Sequence, residues 1–490
     1  MKEVFVNTYE NDGFTNIVYK DEEYLLVDSY TINHRLYCQF SSFDKNLFLE
    51  KRDKKYYSIN DLEVLNKLRE LANLNKPEFL FIIKKAIVSL FAGEVKEIDK
   101  DTKEKIIDFV YQRLKKGGCT LSEQQVKTRL RKVKYFTGFP KESRELASAF
   151  YHPAADSILI PDIEDYENIV HESVHAIGGR RMYENMFKIG TGFIEGGTQL
   201  ATLKSIKKTR RSSYSYGEYF NFKSNSYEYE IAIMWQMEYL LGKSSIDSIT
   251  SGDTKFFKEF IDKYGMNIFL YARHTTNKIN AFQRRIIQNY NPQELLYELQ
   301  DKLLTHCFDK DFTQIKSLED ATRYLNRLNN FGGRRVRTKT DSFLEEYYNK
   351  KLIQVKERLL KLGIEEGIID EMINNHQYKQ VQFAPMHTEQ SLFNSLIHYM
   401  NHRGKFIMKA QKIPFEHCSF YAYKIEEDYY MCATLNGIVV HTCKGNLYEP
   451  VDEVYGKITI INETMGEYEG KRIPLEKIEI LQKEEMRKVG

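Results

Sequence analysis

The chain is 490 residues long and 42% hydrophobic, enough for about two to four domains with real cores. Its 72 Lys and Arg stand against 69 Asp and Glu, a balance that argues against nucleic acid or an anionic membrane as partner of the whole chain. No run of about 18 apolar residues marks a transmembrane helix and no apolar stretch follows Lys2, so a cytoplasmic protein without a membrane partner is expected.

The cysteines Cys38, Cys119, Cys307, Cys418, Cys432 and Cys443 are sparse and form no CxxC pair. Reduced thiols are expected, with neither a disulfide framework nor a cysteine-rich zinc site.

In chain order, residues 1–60 read as β-rich. Glu3-Val-Phe-Val, Asn16-Ile-Val-Tyr and Tyr24-Leu-Leu-Val are separated by Asn, Asp and Gly. Residues 61–135 turn helical: Leu62, Val64, Leu65, Leu68 and Leu71 recur at helical spacing, and so do Ile106, Ile107, Val110 and Leu114. Residues 136–310 hold the chemistry. There Ser157-Ile-Leu-Ile-Pro161 reads as a strand ended by proline, and Asp162 and Asp165 offer cap oxygens to a helix that stops at Gly178-Gly179. Further helices are expected near 193–209, 226–242 and 254–264. Residues 311–403 read as mostly helical, with a loop at Phe331-Gly-Gly-Arg-Arg. Residues 404–490 read as a small β-rich domain in which Asn436-Gly437 predicts a two-residue hairpin. The expected class is α+β and multidomain, with a mainly helical core and β-rich ends.

His171-Glu-Ser-Val-His175 is the HExxH pattern. On a helix its two histidines lie one turn apart on one face, so both imidazoles can reach a single ion about 2 Å away. Zinc, one ion per chain, is the metal such a pattern takes. Glu172 then sits beside a metal-bound water and can accept its proton. A catalytic zinc site takes three protein ligands, and Glu195 in Gly192-Phe-Ile-Glu-Gly-Gly-Thr-Gln is the third candidate. It lies 20 residues after His175, room for a turn and a second helix crossing the first. Gly196 and Gly197 would let that backbone pass close to the metal. Glu230 can orient a ligand histidine from outside, or replace Glu195 as the third ligand.

HExxH followed at this distance by Glu in an E-G-x-T setting resembles the gluzincin class of zinc metallopeptidases. The resemblance covers roughly residues 145–245 and implies a zincin-like core. It implies His171, His175 and Glu195 as ligands, Glu172 as general base, and a peptide or protein substrate. Ala149-Phe-Tyr-His-Pro and Ser157-Ile-Leu-Ile-Pro resemble the edge strand on which such enzymes pair an extended substrate. A downstream Tyr or His that stabilises the oxyanion is also implied. Tyr227 is the first choice; Tyr229, Tyr216 and His274 are its rivals.

Other signals are weaker. His398 and His402 share helical spacing without a glutamate between them, and a solvated helix end is expected. Basic clusters at Lys127–Lys132, Lys204–Arg211 and Arg334–Lys339 are expected to be solvated surface. The flanking regions are candidates for a regulatory protein partner. A zinc hydrolase acting on non-peptide amides, and a regulatory protein built on such a core, are the rival expectations.

Overall fold

The computed structural model describes residues 2–11, 13–72, 94–139, 149–153, 155–161, 163–206, 227–283, 292–336, 341–379, 396–397, 400, 404–425, 428–444, 449–450 and 458–478. Within them the protein has both helices and sheets, an α+β architecture of several units.

The N-terminal strands are β1 (Glu3–Val4), β2 (Asn7–Asn11), β3 (Phe14–Tyr19), β4 (Glu22–Ile32), β5 (Arg35–Ser41), β6 (Asn46–Arg52) and β7 (Lys55–Ser58). They form a 7-stranded antiparallel sheet in the order β1-β7-β6-β5-β4-β3-β2. β1 and β2 are its opposite edges, yet only Phe5 and Val6 lie between them. Three Cα steps span at most about 11 Å, whereas the edges of a flat sheet this wide would stand about 29 Å apart. The sheet must therefore curl back on itself as a small barrel. Ile17, Phe40, Leu49 and Tyr56 are buried together on one of its faces. On the other, Tyr30, Tyr37 and Phe48 pack with Leu68 of α1 (Leu62–Leu71).

The central unit joins a mixed sheet to a bundle of helices. Its strands are β8 (Glu94–Glu97), β9 (Lys134–Phe139), β10 (Phe150–His152) and β11 (Ser157–Leu159), in the order β10-β11-β9-β8. β11 runs parallel to β9, and β10 turns back antiparallel to β11. Among the described residues β10 is an edge. Residues 61–135 thus include β8 as well as helices α2 (Lys100–Lys116) and α3 (Glu123–Lys132). The next helices are α4 (Tyr166–Glu184), α5 (Met186–Ile189), α6 (Thr191–Ile206) and α7 (Glu228–Leu241). They continue as α8 (Ile246–Ser251), α9 (Lys255–Tyr264), α10 (Met266–Gln283) and α11 (Pro292–Phe312). α12 (Leu318–Phe331), α13 (Ser342–Lys361) and α14 (Glu366–Asn375) complete the bundle. One hydrophobic core runs through them, from Phe14 of the barrel to Met372.

Barrel and bundle are joined by polar contacts from one face of α10. Arg273 donates to the carbonyls of Ser42 and Phe43 in the barrel and of Phe187 and Lys188 in α5, at 2.7–3.1 Å. Burial pulls its guanidinium down to about 10, still charged at neutral pH. His274 and Lys278 meet Asp28 of β4 at 3.2 and 2.8 Å. Arg273→Met leaves four part-buried carbonyls without this donor. A loss of about 2–4 kcal/mol in urea unfolding is expected, and a loss below about 0.5 kcal/mol, the range of ordinary surface substitutions, would show that the junction carries no weight.

The basic clusters are solvated surface only in part. Lys127 pairs with Asp108 and Glu123, Arg131 with Glu104, and Lys204 with Glu238. Arg335 is 0% exposed, because carboxylates from α11 (Asp301) and from the cap of α13 (Asp341) meet it at 2.5 and 2.6 Å. Arg334 lies over the Tyr239 ring. Residues 207–211 and 337–339 of these clusters, and His398 and His402, lie outside the described residues.

The C-terminal unit is a 5-stranded sheet facing a 3-stranded one. Alternation along β12 (Ser419–Ile425) sends Phe420 and Ala422 into one cluster and Tyr421 and Tyr423 into another, so both faces are covered. β13 (Asp428–Leu435) and β14 (Ile438–Lys444) join at Asn436 and Gly437. Both turn residues have positive φ, at 51° and 79°, as a two-residue type I′ turn requires.

Candidate metal centre

α4 starts at Asp165, whose side chain accepts from the Asn168 N–H at 3.1 Å. Asp162 lies outside the described residues. His171 and His175 follow one turn apart, both buried, and their Nε2 atoms come within 3.1 Å. The helix does not stop at Gly178-Gly179 as expected; it breaks there and resumes. Gly179 has φ 48° and ψ −140°. A Cβ on it would lie 2.7 Å from Nη2 of Arg129. The break therefore lets Arg129 pass to Asp156, at 2.5 and 2.7 Å, and to the Tyr151 hydroxyl at 3.1 Å. Burial alone would push the Asp156 carboxyl up, but Arg129 and Tyr151 outweigh it and hold it low.

The same break turns the chain back toward the histidines. Along an unbroken helix residues 175 and 182 would stand about 10 Å apart. Here Met182 Sδ sits 3.3 Å from His175 Nδ1. Gly178 leaves room for it, since a Cβ there would meet Met182 Cε at 2.8 Å.

α6 carries Glu195 across this face. Its start is gripped by α10: the Gly192 N–H donates to Asn277 Oδ1 at 3.0 Å, and a Cβ on Gly192 would lie 2.5 Å from the Thr276 carbonyl oxygen. Glu195 Oε2 comes 3.3 Å from His175 Nε2 and 3.5 Å from His171 Nε2. The close approach that Gly196 and Gly197 allow is between helices rather than toward the metal. A Cβ on Gly196 would meet Glu230 at 2.6 Å, and one on Gly197 would meet Ile249 at 2.5 Å.

The fit of this group to a metal follows from its spacing. Ligands at 2.0–2.1 Å in tetrahedral array stand about 3.3 Å from one another, and the observed separations are 3.1, 3.3 and 3.5 Å. A thioether accepts only, so with a cation at Nε2 the His175 ring proton has its place on Nδ1, toward Met182 Sδ. Two lone pairs and a carboxylate facing one another repel unless a cation lies between them. Among the described residues these are the side chains that can hold a metal ion.

Around the group lie contacts that sequence reading missed. His171 Nδ1 is 2.7 Å from Gln199 Oε1, and Gln199 Nε2 donates to Glu167 Oε1 at 2.6 Å. Helical spacing was the available signal: Gln199 lies one turn after Glu195, and Glu167 one turn before His171. Glu172 Oε2 accepts from the Tyr151 N–H of β10 at 2.6 Å.

Tyr227 precedes α7 in the left-handed region (φ 61°), and its ring stacks on His171 at 5.8 Å and 8°. A bulky side chain there is uncommon and costs about 1–3 kcal/mol, a strain that clusters at functional sites. The rivals lie elsewhere. Tyr229 is packed against the core with its hydroxyl pushed up by burial. His274 faces Asp28 at the barrel junction, and Tyr216 lies outside the described residues. Glu230 does not join the metal-holding group: it is fully buried and accepts from Asn280 at 3.0 Å.

No helix among the described residues is long and apolar enough to cross a membrane. Compared with protein-family models, with curated proteins and with solved structures, the chain matches none.

Proposed function

We propose that the chain is a zinc-dependent peptidase of the gluzincin type, with a zincin-like core formed by β8–β11 and the helices around α4 and α6. The observation that carries this reading is the convergence of His171, His175 and Glu195 beside a glutamate, Glu172, that is tied to an edge strand. Zinc suits two imidazoles and a carboxylate. When bound, zinc supplies Lewis acidity toward a carbonyl and lowers the pKa of water.

The chain's own residues supply the rest. Glu172 takes the proton of the attacking water and delivers it to the leaving amine. The Tyr151 N–H holds that carboxylate in place. The Tyr151 carbonyl points the same way as its N–H, as strand geometry requires, and accepts from the backbone of an extended substrate laid along β10. Tyr227, stacked on His171, is the hydroxyl donor for the oxyanion.

Incubating the zinc-loaded protein with a mixed peptide library, beside a chelator-treated sample, tests the reading by mass spectrometry of products. New peptide termini that vanish on chelation and return with zinc are expected. A library left uncut by protein that demonstrably holds zinc would sink it.

A further inference from the structure

We infer that Glu167 is a positioning residue that holds His171 in the tautomer able to bind a metal. The inference rests on the metal-holding group of the proposed function and is independent of what substrate is cut. Glu167 stands one turn before His171 on α4, and Gln199 one turn after Glu195 on α6. A carboxylate can only accept, so the Gln199 amide nitrogen faces Glu167, at 2.6 Å. The amide oxygen is thereby turned to His171 Nδ1, at 2.7 Å, and the proton of the neutral ring sits on that nitrogen. The lone pair on Nε2 is left facing His175 Nε2 and Glu195 Oε2.

The alternative arrangement shows why a lock is required. With the amide turned end for end, its NH2 group would donate to Nδ1 and the ring proton would move to Nε2. That proton would point at Glu195 Oε2, 3.5 Å away, and would satisfy the carboxylate without any metal. Glu167 disfavours this competitor, because two amide hydrogens cannot face His171 while also serving Glu167.

The test measures zinc affinity of the full chain by competition with a chelator, and the protonated nitrogen of His171 by 15N NMR of the metal-free protein. Glu167→Ala is expected to weaken zinc binding by ~10–100-fold, the usual effect of losing an outer partner of a ligand histidine, and to move proton population from Nδ1 to Nε2. The reversed pair Glu167→Gln with Gln199→Glu places an accept-only group against His171 and an amide behind it. It is expected to bind zinc within a few-fold of wild type, which a merely structural role of Glu167 would not produce. Wild-type affinity in Glu167→Ala with Nδ1 still protonated overturns the inference, and so does a reversed pair as weak as Glu167→Ala. Wild type that takes up no zinc overturns the metal reading itself, an outcome distinct from either.

Discussion

Glu172→Gln is expected to keep its zinc and to lose ~10²–10⁴-fold in kcat, the range that removal of a general base costs. The amide matches the carboxylate in shape and can still accept from the Tyr151 N–H, now 2.6 Å from Oε2, so the fold around α4 has no reason to change. What disappears is the ability to hold the water's proton and pass it on. His171, His175 and Glu195 do not touch that oxygen's role, so metal stoichiometry should equal that of wild type. Steady-state kinetics and metal analysis on the same preparations check both halves. Undiminished turnover would remove Glu172 from the mechanism, and a variant without zinc would make it a structural residue.

Gly196→Ala is expected to disturb the site strongly with a single methyl. Its Cβ would lie 2.6 Å from Glu230 Cβ and 2.7 Å from the Glu230 backbone carbon and oxygen. Backbone cannot rotate away, and Asn280 holds the Glu230 side chain from behind at 3.0 Å. α6 must therefore move off α7, and Glu195, the neighbouring residue, moves with it. Over-packing of this kind costs about 1–3 kcal/mol, and zinc affinity should fall in step with stability. Gly197→Ala is the control. Its nearest obstacle is the Cδ1 tip of Ile249 at 2.5 Å, a side chain that can turn. Thermal unfolding with and without zinc reads both. A Gly196→Ala protein no weaker than Gly197→Ala in either measure would contradict the close-packing role.

What the sequence revealed was what local spacing encodes. The histidine pair, the cap at Asp165, the Asn436-Gly437 turn and the helices near 193–209, 226–242 and 254–264 all depend on residues a few positions apart. The structure has them at Thr191–Ile206, Glu228–Leu241 and Lys255–Tyr264. What stayed hidden depends on distant partners. The curl of the N-terminal sheet follows from β1 pairing with β7, across some fifty residues. Arg335 looked like one of several exposed cations until Asp301 and Asp341 closed on it. Met182 gave no signal in the sequence; its sulfur meets His175 across the break at Gly179. His274 had the chemistry of an oxyanion donor but belongs to the barrel junction.

The most direct measurement is the metal content of purified wild type and Glu195→Ala, side by side, by mass spectrometry after equilibration with zinc. With the three donors 3.1–3.5 Å apart, wild type is expected to carry one zinc per chain and Glu195→Ala to lose it or release it readily to a chelator. Wild type that carries no zinc, or a Glu195→Ala protein that holds it as tightly, would contradict the three-ligand centre on which the proposed chemistry depends.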